Sequence, residues 1–399
     1  MKKMLAVLAL CALLGSLFTG CSKPADNTAG QTGQTEQTGE AEQSEIKIGI
    51  NYELSGGVAT YGQSSVEGIE MAIEEINAAG GINGKKLVPV KYDNKSEPAE
   101  ATTLANKLMT QDKVVAVLGP ATSGAFKAEI PVGTKNKIPV ISGSATADDV
   151  TVDSSGVKEY AFRICFYDSF QGTTMANFAL NNLNAKSAVI IMDSSSDYGK
   201  GLAKNFTDTF TEKGGTIVTQ EAYVANDTDF NAILTKIKGL QYDVIYIPGY
   251  YNEAGLIIKQ ARNQGIDAPV LGADGFDSPT LLDLAGATAL NNVYFTNHYS
   301  SLDKDPAVVK FISDFKAKYN KEPDAFNALG YDLAMFVADG IKRASSVDGE
   351  SIKTALAETK DFAGVTGSFS VDENHNPVKS IVVIGLKDGV QDTSEKIGS

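Results

Sequence analysis

The chain has 399 residues, 43% of them hydrophobic and 21% charged, a globular balance with room for more than one domain's core. Its formal net charge of −14 excludes nucleic acid as a partner, because a phosphate backbone calls for a basic surface.

At the amino terminus Lys2 and Lys3 precede the apolar run MLAVLALCALLGSLF, which ends in Thr19-Gly20-Cys21. A charged start, an apolar stretch and small residues at a cut site predict a signal peptide over residues 1–20. Cys21 directly after it resembles a bacterial lipobox cysteine, with Phe18 where Leu is more usual. Lipidation of Cys21 is therefore expected in preference to an ordinary signal peptide with an incidental cysteine. The following SKPADNTAGQTGQTEQTGEAEQSE has no large apolar residue. Residues 21–45 thus read as a lipidated Cys and a disordered linker that holds the folded part just outside a membrane. No later segment has the length and apolarity of a membrane span. Cys11 leaves with the signal and Cys21 is committed to lipid, so Cys165 stands alone and no internal disulfide is expected.

From Ile46 strands and helices alternate. IKIGINYEL predicts a strand, and Val66, Ile69, Ile73 and Ile76 recur at helical spacing until Gly80-Gly81. KLVPVKYD predicts a second strand, Leu104 and Leu108 a helix, VVAVLG a third strand, residues 130–137 a helix and IPVIS a fourth strand. The alternation repeats with AVIIMD, a helix marked by Leu202, Phe206 and Phe210, TIVTQEAY, a helix marked by Phe230, Ile233, Leu234 and Ile237, then DVIYIPG, a helix through Ile257, Ile258 and Ala261, and PVLGAD. Residues 311–319 and 326–344 predict longer helices. The pattern is that of parallel sheets in an α/β protein, where ligands lie beyond the carboxyl ends of strands.

The loop after the third strand, GPATSGAF, places Gly119 and Gly124 at the spacing of a phosphate loop. Ala125 and Phe126 stand where that loop needs Lys and Ser or Thr, which excludes a nucleotide and leaves a smaller anion open. The other strand ends carry Ser144-Ala145-Thr146, Asp197-Tyr198-Gly199, Gly249-Tyr250-Tyr251 and Ala273-Asp274-Gly275. Taken singly, Ser123 reads as a helix cap and Asp274-Gly275 as a turn. His298 and His375 read as structural or exposed, and no Cys, His or carboxylate cluster has metal spacing, so neither metal nor cofactor is expected. No G-x-S-x-G elbow occurs, and Cys165 lacks a basic partner beyond Arg163, so no enzyme is expected.

The ordered motifs EINAAGGINGKKLVPVKYDN, LGPATSG, ISGSAT, SDYGKGLA, PGYYNEAGLIIKQAR and GADGF resemble the leucine/isoleucine/valine-binding proteins of ABC importers, over nearly everything after the linker. The resemblance implies a two-lobed, type I periplasmic-binding-protein fold. Each lobe would be a mostly parallel sheet flanked by helices, with three crossovers joining the two. Residues 46–163 plus 296–378 would form lobe 1 and residues 164–295 plus 379–399 lobe 2. It implies an amino acid, branched-chain or another small one, trapped between closing lobes and delivered to an ABC permease by a monomer on the extracytoplasmic face of the membrane, with a Gram-positive surface favoured.

Carried over by motif, the resemblance puts the ligand's α-carboxylate at Ser123 and nearby N–H groups, with Ser144 and Thr146 facing the ligand backbone and Tyr61 covering it. Tyr198, Tyr250 and Asp274 would meet it from the other lobe, Asp274 supplying the anion that a buried ammonium needs. Ala121 and Thr122 would line the side-chain pocket, smaller and more polar than in leucine-type relatives, with Phe276 shaping it. Ser96 and Thr122 occupy the positions of a disulfide found in some relatives. Alternatives are another small carboxylate or amide, such as 4-aminobutyrate or an aromatic acid, and a sensor domain serving a signalling partner.

Overall fold

The computed structural model describes residues 45–398. The expected signal peptide, Cys21 and the linker up to Ser44 lie outside the described residues.

Five parallel strands build the first sheet: β1 (Glu45–Tyr52), β2 (Lys86–Asp93), β3 (Val117–Leu118), β4 (Val140–Ser142) and β7 (Ala161–Arg163), in the order β2-β1-β3-β4-β7. A small hairpin, β5 (Val152–Asp153) with β6 (Gly156–Val157), lies between β4 and β7 in the chain. The second sheet contains β8 (Ser187–Asp193), β9 (Thr216–Tyr223), β10 (Val244–Tyr246), β11 (Val270–Gly272) and β12 (Val293–Asn297). Beyond a hairpin of β13 (Phe362–Gly364) and β14 (Gly367–Phe369), the strands β15 (Ile381–Lys387) and β16 (Val390–Ile397) complete it antiparallel, giving β16-β15-β12-β11-β10-β8-β9. The chain therefore passes between the sheets three times, after Arg163, after Asn297 and before Ile381.

Strand burial follows position. Central β8 is buried along most of SAVIIMD, as a parallel strand covered on both faces must be, whereas edge strand β9 is mostly half-exposed. Helices α1 (Ala59–Ala78), α2 (Pro98–Lys107) and α3 (Ser123–Asn136) serve the first sheet, and α4 (Asp168–Asn181), α5 (Asp197–Glu212), α6 (Asn231–Lys238), α7 (Tyr251–Asn263) and α8 (Pro279–Ala285) the second. The later helices α9 (Pro306–Tyr319), α10 (Ala325–Arg343) and α11 (Gly349–Ala357) return to the first half, α10 lying along α1. The two backbones touch where Gly68 faces Gly330: a Cβ on Gly68 would come within 2.0 Å of the Asn327 carbonyl oxygen.

Helices α4, α8 and α11 were not expected, and α3 is longer than expected. Of residues 130–137, all but Lys137, its C-cap, are the end of a longer helix, α3, that starts at Ser123 and contains Pro131. Gly124 and Pro131 read locally as breakers, but burial of Phe126, Glu129, Ile130 and Gly133 on one face holds the helix through both. Helix α4 was not legible because its buried face includes Asp168, Gln171, Gly172 and Thr174, which leave no continuous apolar stripe.

Candidate functional site

Both sheets direct strand carboxyl ends toward one cleft, and a small pocket lies in it. Tyr61, Ala121, Thr122, Ser123, Ser144, Tyr198, Tyr250, Asp274, Gly275 and Phe326 line it. The cleft thus gathers every residue expected from the motifs except Thr146 and Phe276.

Thr146 does not line the pocket; its carbonyl accepts from Arg163 Nη1 at 3.0 Å and from the Asp168 N–H at 2.8 Å. Phe276 belongs to the core: it packs beside Phe295 at 6.1 Å between ring centroids, and its ring fills the space where a Cβ on Gly272 would stand. Gly275 and Phe326 were not anticipated. Phe326 comes from α10, and nothing in its local pattern separates it from an ordinary core phenylalanine.

The floor on the first side is the turn into α3. Ser123 is the first helical residue, and no acidic side chain occupies the first turn. The N–H groups of that first turn are orphans within the helix and lie at the positive end of its dipole. The Ser123 hydroxyl accepts from the Ala147 N–H at 3.1 Å, which leaves its own hydrogen to donate. Ser144 donates to the Ala121 carbonyl at 3.0 Å.

Beneath this turn lies Glu53, fully buried, which the sequence reading missed. Its carboxylate accepts from the Ala121 N–H at 2.9 Å, the Thr122 N–H at 3.1 Å and the Thr122 hydroxyl at 2.9 Å. Burial pushes the Glu53 carboxyl up, and these bonds pull it partly back. Because Thr122 spends its hydroxyl hydrogen on Glu53, the pocket wall at Thr122 is less polar than its residue type implied. Ser96 donates to the Ser55 carbonyl at 2.8 Å, so neither Ser96 nor Thr122 is idle where some relatives place cysteines.

The opposite wall is a carboxylate among aromatic rings. The Tyr198 hydroxyl donates to Asp274 Oδ1 at 2.6 Å and accepts from the Gly275 N–H at 3.0 Å. Its ring stacks on Tyr250 with centroids 5.0 Å apart and planes within 8°. Tyr61 closes the cleft from the first side, donating to the Gly275 carbonyl at 2.5 Å and stacking on Phe326 at 4.2 Å. Burial, with neighbouring acidic groups, pushes the phenols of Tyr61 and Tyr198 well above their usual range and keeps them neutral donors. Behind Asp274, Gln171 Nε2 donates to Oδ1 at 3.0 Å and His298 Nε2 lies 3.0 Å from Oδ2. His375, by contrast, stacks on Phe162 at 4.1 Å, away from the pocket.

A helix N-terminus with a hydroxyl faces a buried carboxylate across aromatic walls, a complement to a small zwitterion. Cys165 is buried, its thiol pushed up to about 12 by burial and turned to the Ala145 carbonyl. Among the described residues no cluster of three or more His, Cys, Asp or Glu side chains is placed to hold a metal.

The sequence profile of the family described as "Periplasmic binding protein" matches residues 45–391. The chain belongs to that family. The fold is its type I form, and the family is one of solute-binding, extracytoplasmic proteins and not of enzymes. Among solved structures, this periplasmic binding protein is similar to the branched-chain amino acid transporter substrate-binding protein LivJ of Streptococcus pneumoniae, solved with isoleucine, at 45% identity and a TM-score of 0.85 over 89% of this chain and all of that one. It is similar to the leucine-binding protein LivK of Thermotoga maritima at 37% identity and a TM-score of 0.83, covering 88% of this chain and 99% of that one. It is 32% identical over 329 residues to the leucine-, isoleucine-, valine-, threonine- and alanine-binding protein of Pseudomonas aeruginosa, spanning 82% of this chain and 86% of the relative. No helix among the described residues is long and apolar enough to cross a membrane.

Proposed function

We propose that this chain captures a branched-chain or other small α-amino acid between two closing lobes and delivers it to an ABC permease, performing no chemistry on it. The carrying observation is the opposed pair of poles in one pocket: Ser123 and the start of α3 on one side, Asp274 with Tyr198 on the other. A zwitterion satisfies both at once, whereas a simple acid leaves Asp274 buried without a counter-charge. The walls of Tyr61, Tyr250, Phe326 and Ala121, with the Thr122 hydroxyl turned to Glu53, suit an apolar side chain. The ligands in the names of the similar proteins support the same class.

In this reading residues 46–163 with 296–378 move as one lobe and residues 164–295 with 379–399 as the other, hinged at the three crossings. Cys21, lipidated after removal of residues 1–20, tethers a monomer outside the cell membrane. Closure is a population shift driven by contacts that only the closed form makes.

Isothermal titration of the fragment from Glu45 onward, stripped of co-purified ligand by unfolding and refolding, tests the reading. The panel is leucine, isoleucine, valine, alanine, threonine, glutamate, 4-aminobutyrate and benzoate. Tight binding of one or more α-amino acids is expected, with a melting shift worth about 2.7 kcal/mol at 100 times Kd. Binding of benzoate or 4-aminobutyrate alone would remove the amino-acid assignment while leaving the family intact.

A further inference from the structure

Asp274 is the pole that the proposed function assigns to the ligand ammonium, and the groups behind it decide whether it is free to play that part. An ionised carboxylate has about four acceptor sites. Tyr198 and Gln171 occupy two on Oδ1, and His298 occupies one on Oδ2.

Gln171 cannot turn around. Its Oε1 accepts from the Asp274 N–H at 3.2 Å and from the Thr296 hydroxyl at 2.7 Å, which fixes Nε2 toward the acids, Asp274 at 3.0 Å and Asp168 at 3.3 Å. His298 is pinned as firmly. Its side chain is 1% exposed, its ring stacks on Phe166 with centroids 3.6 Å apart, and Nδ1 is buried with no partner. An ionised Asp274 only accepts, so Nε2 carries the hydrogen. A second proton on Nδ1 would be a buried donor with nothing to receive it.

The charged groups around the ring point the same way. Among the described residues Asp274 is the acid bonded to it, and Lys379 opposes an imidazolium. The Lys379 amine is held by the Thr366 hydroxyl at 2.6 Å and by the Ile164 carbonyl at 3.3 Å. Burial and its neighbour Asp274 push the Asp168 carboxyl well up, and burial pushes the Cys165 thiol up to about 12.

We propose that His298 is a positioning and specificity-determining residue: as a neutral Nε2–H donor, clamped with Gln171 on Asp274, it fixes the carboxylate without cancelling its charge, and so makes a cationic amine obligatory in the ligand. An imidazolium or any fixed cation at this position would serve as an internal counter-ion and let des-amino acids compete. This inference rests on the amino-acid reading given above.

The test compares leucine with 4-methylpentanoate, its des-amino analogue, by titration calorimetry at pH 7.5 on the wild-type fragment and on His298→Gln and His298→Lys. His298→Gln, which keeps a neutral donor, should retain the wild-type ratio of the two affinities within about threefold, a difference below 1 kcal/mol. His298→Lys should lose roughly 30-fold or more in leucine affinity, as expected when a buried charge pair is broken. It should hold or gain affinity for 4-methylpentanoate, so that the ratio collapses. A folded His298→Lys protein with the wild-type ratio would overturn the proposal, as would a collapsed ratio in His298→Gln. If the lysine variant does not fold, wild type is titrated from pH 8 to pH 5: a ring that stays neutral leaves the leucine preference with the same profile in wild type and in His298→Gln, and a preference that falls with acid in wild type alone would overturn the neutral clamp. Wild-type protein that binds no α-amino acid at any pH would instead strike the function itself.

Discussion

Replacing Asp274 by Asn removes one charge and almost no volume from the centre of the site. In the better rotamer the remaining oxygen keeps its bonds from Tyr198, at 2.6 Å, and Gln171, at 3.0 Å, and the new NH₂ group faces His298. The imidazole can meet it by moving its hydrogen from Nε2 to Nδ1, which leaves a buried Nδ1–H without a partner, so the fold loses about 1–3 kcal/mol. The ligand loses more. Truncating one partner of a buried, hydrogen-bonded charge pair costs about 2–5 kcal/mol, or roughly 30- to 4,000-fold in Kd. Titration with leucine and with 4-methylpentanoate separates the charge from the packing: leucine should weaken by that factor and the des-amino acid should not weaken. Thermal melting without ligand shows whether the variant is folded. A folded Asp274→Asn protein that binds leucine within threefold of wild type would refute the assignment of Asp274 to the ammonium.

Tyr61→Phe deletes the bond to the Gly275 carbonyl that ties the two sides of the cleft. At about 0.5–1.5 kcal/mol it should weaken ligand binding roughly 2- to 10-fold and shift small-angle scattering of the liganded protein toward a more open form; unchanged affinity and scattering would remove Tyr61 from closure. Glu53→Ala strands the Ala121 and Thr122 N–H groups, at about 1–3 kcal/mol for each buried donor left unpaired, and urea unfolding should register a loss of at least about 2 kcal/mol. A loss under 1 kcal/mol would mean that water or the loop itself satisfies them. Asp324 caps α10 and accepts from Ser64, and burial together with Asp277 raises its carboxyl from 3.8 to about 7. The folded state then holds a proton that the unfolded chain has released, so this contribution is full below about pH 4 and is lost as pH rises through about 7. Melting should therefore occur at higher temperature at pH 5.5 than at pH 8, and Asp324→Asn, which keeps the cap, should flatten that slope; a slope equal to wild type would show that other groups carry it. Cys165, buried with its thiol near 12, should not react with a thiol reagent until denaturant is added; fast reaction of the native protein would contradict its burial.

Much of this molecule was legible one element at a time. KLVPVKYD and TIVTQEAY are strands over their whole length, and the stripe of Leu202, Phe206 and Phe210 is the buried face of α5. Such elements declare themselves because burial repeats at the period of their own backbone. Pocket residues at strand ends, Ser123, Tyr198, Tyr250 and Asp274 among them, could be picked out because a parallel sheet presents its carboxyl ends together and the motifs come in a fixed order. Helix α4 escaped because Gln171 and Asp168 are buried for their hydrogen bonds, and polar burial has no sequence period. Phe276 misled for the opposite reason: it is two residues from Asp274 in the chain, yet its ring is directed at Gly272.

The sequence by itself determined the alternation of strands and helices, the set of strand-end residues, and, through ordered motifs, the kinship to proteins that bind amino acids. These depend on local backbone period and on residue type, which the chain carries in linear form. Tertiary structure alone decided what stands behind them. Glu53 meets Ala121 and Thr122 from 68 and 69 residues away, Gln171 reaches Asp274 over 103, and His298 arrives from a chain crossing that also separates the two sheets. The charge state of a buried carboxylate is set by which donors surround it and which cations do not, and that is a property of three-dimensional neighbours rather than of order along the chain.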